Sequence, residues 1–253
     1  MTTAIFPNTT PILRIGCAGW SLPAPPEHLR AQARSQLQRY ADQFDTVEIN
    51  SSFYRPHRPA TYARWAQSVP DDFRFSAKLP RTISHQRRLK ECAAELEAFL
   101  AGVTELGEKL GMLLLQLPPT LAFDASVAER FFADLRERHA GAVACEPRHV
   151  SWFTLEAERL LRAFSIARVG ADPARVPRAA VPGGDHRIEY LRLHGSPRMY
   201  YDAYDEAALE RVARRLSRCT TVTRERWCLF DNTALGAAQV DAVRLQRLLG
   251  LNR

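Results

Sequence analysis

The sequence predicts an α/β protein, a single TIM-type (β/α)8 barrel, and three observations carry that reading. Short apolar or alternating runs recur eight times over 253 residues, separated by segments of helical spacing. No linker or internal repeat interrupts the alternation, and eight strands favour a closed barrel over an open doubly wound sheet. The polar residues of these strands collect at the C-terminal ends, the face on which barrel enzymes carry their chemistry. The chain therefore reads as one domain, residues 1–253, with residues 1–11 as an N-terminal arm.

The first strand is Ile12 to Gly16, followed by Cys17-Ala-Gly-Trp20 and a Pro-rich turn. Leu29, Ala33, Leu37, Tyr40 and Phe44 then recur at helical spacing and predict a helix over 27–42. The second strand follows Asp45, with Val47 and Ile49 alternating against Thr46, Glu48 and Asn50. Pro59 suits the first turn of a helix that carries Tyr62, Trp65 and Val69. Phe73 to Lys78 is the third strand, its Phe73, Phe75 and Ala77 on one face and Arg74, Ser76 and Lys78 on the other. A loop with His85 and a basic cluster leads to a helix over 91–106.

Met112 to Leu117 is the fourth strand, stopped by Pro118-Pro119, and Asp124 opens a helix on Val127, Phe131 and Leu135. The fifth strand, Ala142 to Glu146, runs into Pro147-Arg-His-Val-Ser-Trp152, and Thr154 caps the next helix. The sixth strand is Ile166 to Val169, ending in Gly170-Ala-Asp172. There the pattern breaks. Residues 173–185 are rich in Pro, Arg and Gly, so a loop replaces the helix after strand six. Ile188 to His194 is the seventh strand, Asp205 opens the next helix, and Arg226 to Phe230 is the eighth strand before a final helix on Val240, Val243 and Leu248.

Alternation along each strand assigns side chains to the helix layer or to the barrel interior. With the apolar set facing the helices, the interior receives Arg14, Glu48, Asn50, Arg74, Lys78, Gln116, Glu146, Arg168, Asp172, Tyr190, Arg192 and His194. Strand eight leaves Asp231 and Asn232 as alternatives. The expected interior is thus ionic, with Arg14, Arg74 and Arg168 deep in a paired network, since buried charges need partners. Lys78 stands out in a chain that otherwise uses Arg, with Lys90 and Lys109 as its other lysines. A compact ammonium with a movable pKa serves as acid, base or anion holder where Arg does not. Trp20, Phe53, Tyr54, Trp152, Tyr200 and Tyr201 supply a rim of aromatics able to stack on a ring.

Composition excludes several classes. Apolar content of 46% and charged content of 25% are those of an ordinary globular protein, with no run near the ~20 apolar residues of a membrane helix. The N-terminus lacks a basic and apolar leader, and five cysteines without a C-x-x-C pair read as reduced thiols, so a cytoplasmic protein is expected. A net charge of +7 permits binding to phosphates or nucleic acid, although no block of like charges appears.

The series IGCAGW, QFDTVEINSSFYR, FRFSAKLPRTISH, GMLLLQLPP, CEPRHVSW, YLRLHG and FDNT, in this order, resembles the domain-of-unknown-function 72 (YecE-like) family. The resemblance implies a TIM-type barrel and brings no established activity. It marks Gly16, Gly19, Trp20, Glu48, Asn50, Phe53, Tyr54, Lys78, Gln116, Pro118, Glu146, Arg148, Trp152, Arg192, His194 and Asn232 as motif positions. The chain departs from the family pattern at Cys17-Ala18, where Thr and Ser are common, at Pro147, where Phe is usual, and at Val150, where Pro is usual.

Three functions fit these residues. The first is an enzyme on a small anionic or phosphorylated substrate, a hydrolase, lyase or isomerase working by general acid–base chemistry. Glu48, Lys78, Glu146 and His194 would be catalytic, with Trp20, Asn50, Phe53, Tyr54, Gln116, Arg148, Trp152, Asp172, Arg192 and Asn232 binding the substrate. The second is a metal-dependent phosphodiesterase resembling apurinic endonucleases, for which the chain lacks the paired histidines such sites use. The third is a nucleic-acid-binding barrel. The residues name no metal site, no cofactor and no oligomeric state.

Overall fold

The computed structural model describes residues 11–22 and 34–251. The arm before Pro11, the Pro-rich turn and the first half of the first predicted helix lie outside the described residues. The strands are β1 Ile12–Ala18, β2 Thr46–Ile49, β3 Arg74–Lys78, β4 Leu110–Gln116, β5 Val143–Glu146, β6 Ile166–Arg168, β7 Gly170–Asp172, β8 Gly183–Gly184, β9 Ile188–Leu193 and β10 Glu225–Phe230. The helices are α1 Gln36–Tyr40, α2 Pro59–Gln67, α3 Ala93–Val103, α4 Ala125–Arg138, α5 Leu155–Ala163, α6 Glu206–Leu216 and α7 Ala237–Leu248.

The sheet order is β7-β9-β10-β1-β2-β3-β4-β5-β6-β8, parallel throughout except for the antiparallel β6–β8 pair. The predicted sixth strand is interrupted at Val169 into β6 and β7. Its first half pairs with β5 and its second half with β9, so one chain segment joins both ends of the sheet. Eight strand positions thus surround the barrel axis. Between β7 and β9 the chain forms a 3-10 turn, Pro177–Ala180, and the short β8, with no α-helix.

Local chemistry explains the joints. Gly16 has no room for a side chain: a Cβ there would stand 2.1 Å from the Thr46 carbonyl oxygen. The buried Tyr40 hydroxyl donates to that carbonyl at 3.0 Å and accepts from the Cys17 N–H at 2.8 Å, tying β1 and β2 to α1. The first helix ends at Tyr40, two residues before the expected end, while the first half of the expected span lies outside the described residues. It begins at Gln36 because Ser35 and Gln38 form a capping box, at 3.2 and 3.0 Å, that fixes the start.

Two apolar cores result. Val47, Ile49, Phe75, Leu113, Leu115 and Cys145 pack outward beneath the helices. Met112, Leu114, Ala144, Ala167, Val169, Tyr190, Trp227 and Leu229 fill the barrel interior. The ionic interior expected from alternation is therefore interrupted, with an apolar layer below the charged layer at the strand ends. Trp227 is the largest of these side chains, stacked on Tyr190 with ring centroids 6.0 Å apart, and Gly111 yields the room it needs.

Of the three arginines assigned to the interior, Arg14 and Arg74 stand beside the interior Trp227 at its N-terminal end, and Arg168 leaves it. Arg168 turns outward, stacks on Phe153, pairs with Glu158 at 3.0 Å and donates to the Arg178 and Val181 carbonyls. It packs the loop that stands where a helix would otherwise cover the sheet. Small Ala167 and Val169 take the inward slots in its place. Arg74 donates to the Asp71 and Phe73 carbonyls, and Arg14 lies over Trp227 and donates to the Asp72 carbonyl. Both close the N-terminal end of the barrel.

Candidate functional site

The C-terminal strand ends carry one connected ionic cluster. Arg192, at the end of β9, is fully buried at its centre. Its Nε and one terminal nitrogen donate to the two oxygens of Glu48 at 2.9 and 2.6 Å. The same terminal nitrogen reaches Asp231 Oδ2 at 2.9 Å, and the other donates to Glu146 Oε2 at 2.5 Å. His194 sits between two carboxylates, with Nδ1 3.0 Å from Asp231 Oδ2 and Nε2 3.2 Å from Glu146 Oε1. Gln116 donates to Glu146 Oε2 at 3.0 Å, and Arg148 donates through Nε to Glu146 Oε1 at 3.0 Å. Four strands, β2, β4, β5 and β9, each place a last or near-last inward residue here, which is why groups far apart in sequence meet.

Charge sets the protonation states. Burial pushes the Glu146 carboxyl up, but Arg192, His194 and Arg148 outweigh it and hold it well below the usual range. Asp231 behaves alike: burial raises it, and Arg192 with His194 lowers it further. For His194 burial favours the neutral ring, yet Glu146 and Asp231 raise its pKa above the ordinary value, so the imidazolium is stabilised. The carboxylates are thus already satisfied by cations.

Lys78 is different. It is only 5% exposed, and its Nζ lies 4.3 Å from the centre of the Phe53 ring. Among the described residues Nζ has no hydrogen-bond or salt-bridge partner. Burial and the neighbouring Arg192 push its pKa down to about 8, against the pull of Glu48, Asp231 and Glu146. Arg148 also has capacity left. Its second terminal nitrogen donates to the Tyr200 hydroxyl at 3.1 Å, leaving the first without a hydrogen bond among the described residues.

The remaining predicted residues divide. Asn50 joins the cluster through a long 3.4 Å bond to Asp231 Oδ1, Phe53 floors Lys78, and Tyr54 is exposed edge-on to Phe53. Trp20 packs edge-on against Trp65 of α2. Trp152 is buried against Phe123, its indole N–H donating to the Leu121 carbonyl at 3.0 Å, so no face is open for a ligand. Asp172 lines a groove between β7, β9 and α6, while its carbonyl accepts from the His194 N–H at 2.7 Å. Asn232 points toward α7, donating to Asp241 at 2.8 Å and to the Asp202 carbonyl at 3.0 Å.

Asp231, left as an alternative to Asn232, is the strand-eight residue that enters the cluster. Three further groups stand outside the predicted catalytic and binding sets, although alternation places Tyr190 in the interior and Tyr200 counts among the rim aromatics. Tyr190 sits 3.1 Å from Glu48 Oε2 and 2.8 Å from Ser76 Oγ, beneath the cluster. Tyr200 holds Arg148, and a positive φ of 72° carries it over His194 at a ring distance of 5.6 Å. His85 lies in a π-helical turn, Thr82–Gln86, edge-on to Phe53 at 5.0 Å, with its pKa lowered by burial and then by Lys78, Arg81 and Arg148. Such turns concentrate at functional sites, but no sequence period announces one.

Known proteins are similar to this chain over part or most of its length. YecE of Escherichia coli K12 is 38% identical over 109 residues, 43% of this chain, and the match spans 39% of that protein's length. YunF of Bacillus subtilis 168 is 22% identical over 95% of both chains. Both are named as UPF0759 proteins. Crystal structures of DUF72 proteins share the fold: one from Enterococcus faecalis V583 superposes with a TM-score of 0.78 at 20% identity, covering 96% of this chain and 97% of the other. One from Thermotoga maritima MSB8 gives 0.77 at 23%, covering 94% and 99%. The family described as "Protein of unknown function DUF72" matches residues 14–253, from Arg14 at the foot of the barrel through every strand that feeds the ionic cluster, and the chain belongs to it.

Proposed function

We propose that the strand-end site binds a small anionic substrate, held by Lys78 and the uncommitted nitrogen of Arg148, and that the protein is an enzyme. One observation carries this reading: Glu48, Glu146 and Asp231 are matched by Arg192, Arg148 and His194, so among the described residues the Lys78 ammonium is a surplus positive charge without a hydrogen-bond or salt-bridge partner. A ligand anion supplies that partner. Acid–base work then falls to Lys78, whose pKa of about 8 lies near neutrality, and to the His194 imidazolium, rather than to Glu146, which is held far from it. Glu48 and Glu146 become the framework that aims them. Phe53, Tyr54 and His85 would form the apolar wall of the site.

The experiment is a thermal-shift panel of small carboxylates, inorganic phosphate and sugar phosphates on wild type, Lys78→Met and Arg148→Met. A ligand at a hundredfold excess over its Kd stabilises by about 2.7 kcal/mol, readily seen. The expected result is a ligand that stabilises wild type and neither variant. Equal shifts in all three proteins would move the binding site elsewhere.

A nucleic-acid-binding reading is favoured by a separate feature. Arg211, Arg214, Arg215 and Arg218 follow the 3-4 spacing of one helix face along α6, lining a groove of about 700 Å³. Binding there predicts oligonucleotide affinity that falls steeply with salt and weakens in Arg211→Ala/Arg218→Ala. Against a metal-dependent phosphodiesterase stands Arg192 itself, whose guanidinium lies where a divalent cation shared by Glu48, Glu146 and Asp231 would sit.

A further inference from the structure

We propose that Lys78 is a covalent nucleophile, forming an imine with the carbonyl of a small 2-oxo acid whose carboxylate faces Arg148. The proposal rests on the anion-site reading and deepens it to a substrate class.

Four features of the site point to a carbonyl compound rather than to phosphate. Arg192, the most central guanidinium, has every one of its nitrogens committed to carboxylates. That leaves no guanidinium fork at Arg192 to clamp a phosphate dianion. The donors left are a single ammonium and a single Arg148 nitrogen, which suit a monocarboxylate with one more polar atom beside it. Finally, Lys78 Nζ has the Phe53 ring on one side and, among the described residues, no hydrogen bond to break before attack. Lys78 ends β3 and Arg148 follows β5, with one strand between them, so both donors belong to the same strand-end layer.

Chemistry at that position is balanced. The neutral amine adds to the carbonyl carbon, the π pair moves to oxygen, and that oxygen takes a proton. Loss of water from the carbinolamine, with one further proton from solvent and one released from nitrogen, leaves a protonated iminium. Amine, carbonyl and one proton become iminium and water. With a pKa near 8, roughly 300-fold more of Lys78 is neutral at pH 7 than of a lysine at its ordinary 10.5.

The test is reductive trapping. Wild type is incubated with pyruvate, 2-oxobutyrate or 2-oxoglutarate and sodium cyanoborohydride, and the adduct is located by intact mass and peptide mapping. Only Lys90 and Lys109 compete among the side chains, so the map is simple. The expected result is one adduct, on Lys78, for at least one 2-oxo acid, with Lys78→Arg unlabelled at unchanged thermal stability and Lys90→Arg labelled as wild type. Equal labelling of all three lysines, or none at Lys78, overturns the proposal. A thermal shift by a 2-oxo acid without any adduct would refute the imine alone and leave the anion site standing. Neither shift nor adduct with any anion of the panel would remove both.

Discussion

Arg192 and Glu48 meet through two parallel hydrogen bonds of 2.9 and 2.6 Å, and neither side chain has any exposed surface. Such a pair is a framework, because each charge is tolerable in the interior only while the other is present. Glu48→Gln and Arg192→Met should each lower unfolding free energy by about 3–5 kcal/mol, read from urea denaturation. A loss below about 1 kcal/mol in both would mean that the pair is not what positions the strand ends.

Lys78→Met should do the opposite. It removes a desolvated ammonium and lays an apolar chain on Phe53, so stability holds or rises while anion binding disappears. A destabilisation as large as that of Arg192→Met would make Lys78 another member of the framework.

The pH dependence of stability has a definite sign. The pKa of Lys78 falls from 10.5 to about 8 on folding, so between these values the unfolded chain binds more protons. The cost of burying the ammonium, on the order of 3 kcal/mol at most, is full below pH 8 and fades as pH rises toward 10.5. The stability advantage of Lys78→Met over wild type should therefore shrink between pH 8 and 10.5, measured by denaturant titration at each pH. Anion affinity runs the other way within wild type, declining as pH passes 8, while Lys78→Arg stays flat.

On the acid side, Glu146 and Asp231 have depressed folded pKa values, so their contribution is present above the ordinary carboxylate range and is lost as pH falls below it. A Glu146→Gln variant, already lacking that contribution, should show a shallower acid limb than wild type.

Asp231 and its neighbour Asn232 separate by role. Asp231→Asn should abolish ligand-induced stabilisation. Asn232→Leu strips a hydrogen bond from the buried Asp241 carboxylate and should cost about 1–3 kcal/mol with ligand affinity unchanged. Tyr54→Ala should show the reverse pattern, stability within about 0.5 kcal/mol and a weaker ligand, because its ring is 70% exposed beside Phe53.

The sequence by itself determined the barrel and the inner residues of its regular strands. Glu48, Lys78, Gln116, Glu146, Arg192 and His194 lie where alternation assigns them, because a strand reverses side at every residue and its neighbours in the ladder hold it to that phase. Tertiary structure decided what alternation leaves open and what happens where the ladder breaks. Asp231 continues the inward phase of Trp227 and Leu229, and Asn232 the outward phase of Cys228 and Phe230, but strand eight is apolar on both faces, so only the packing showed which phase was the inner one. At Val169 the strand changes partner, and the slot left without a helix drew Arg168 outward onto Phe153 and Glu158. Trp152, polar-edged and aromatic, reads like a rim residue in one dimension. The carbonyl of Leu121, thirty-one residues away in the chain, and the ring of Phe123 made it part of the core.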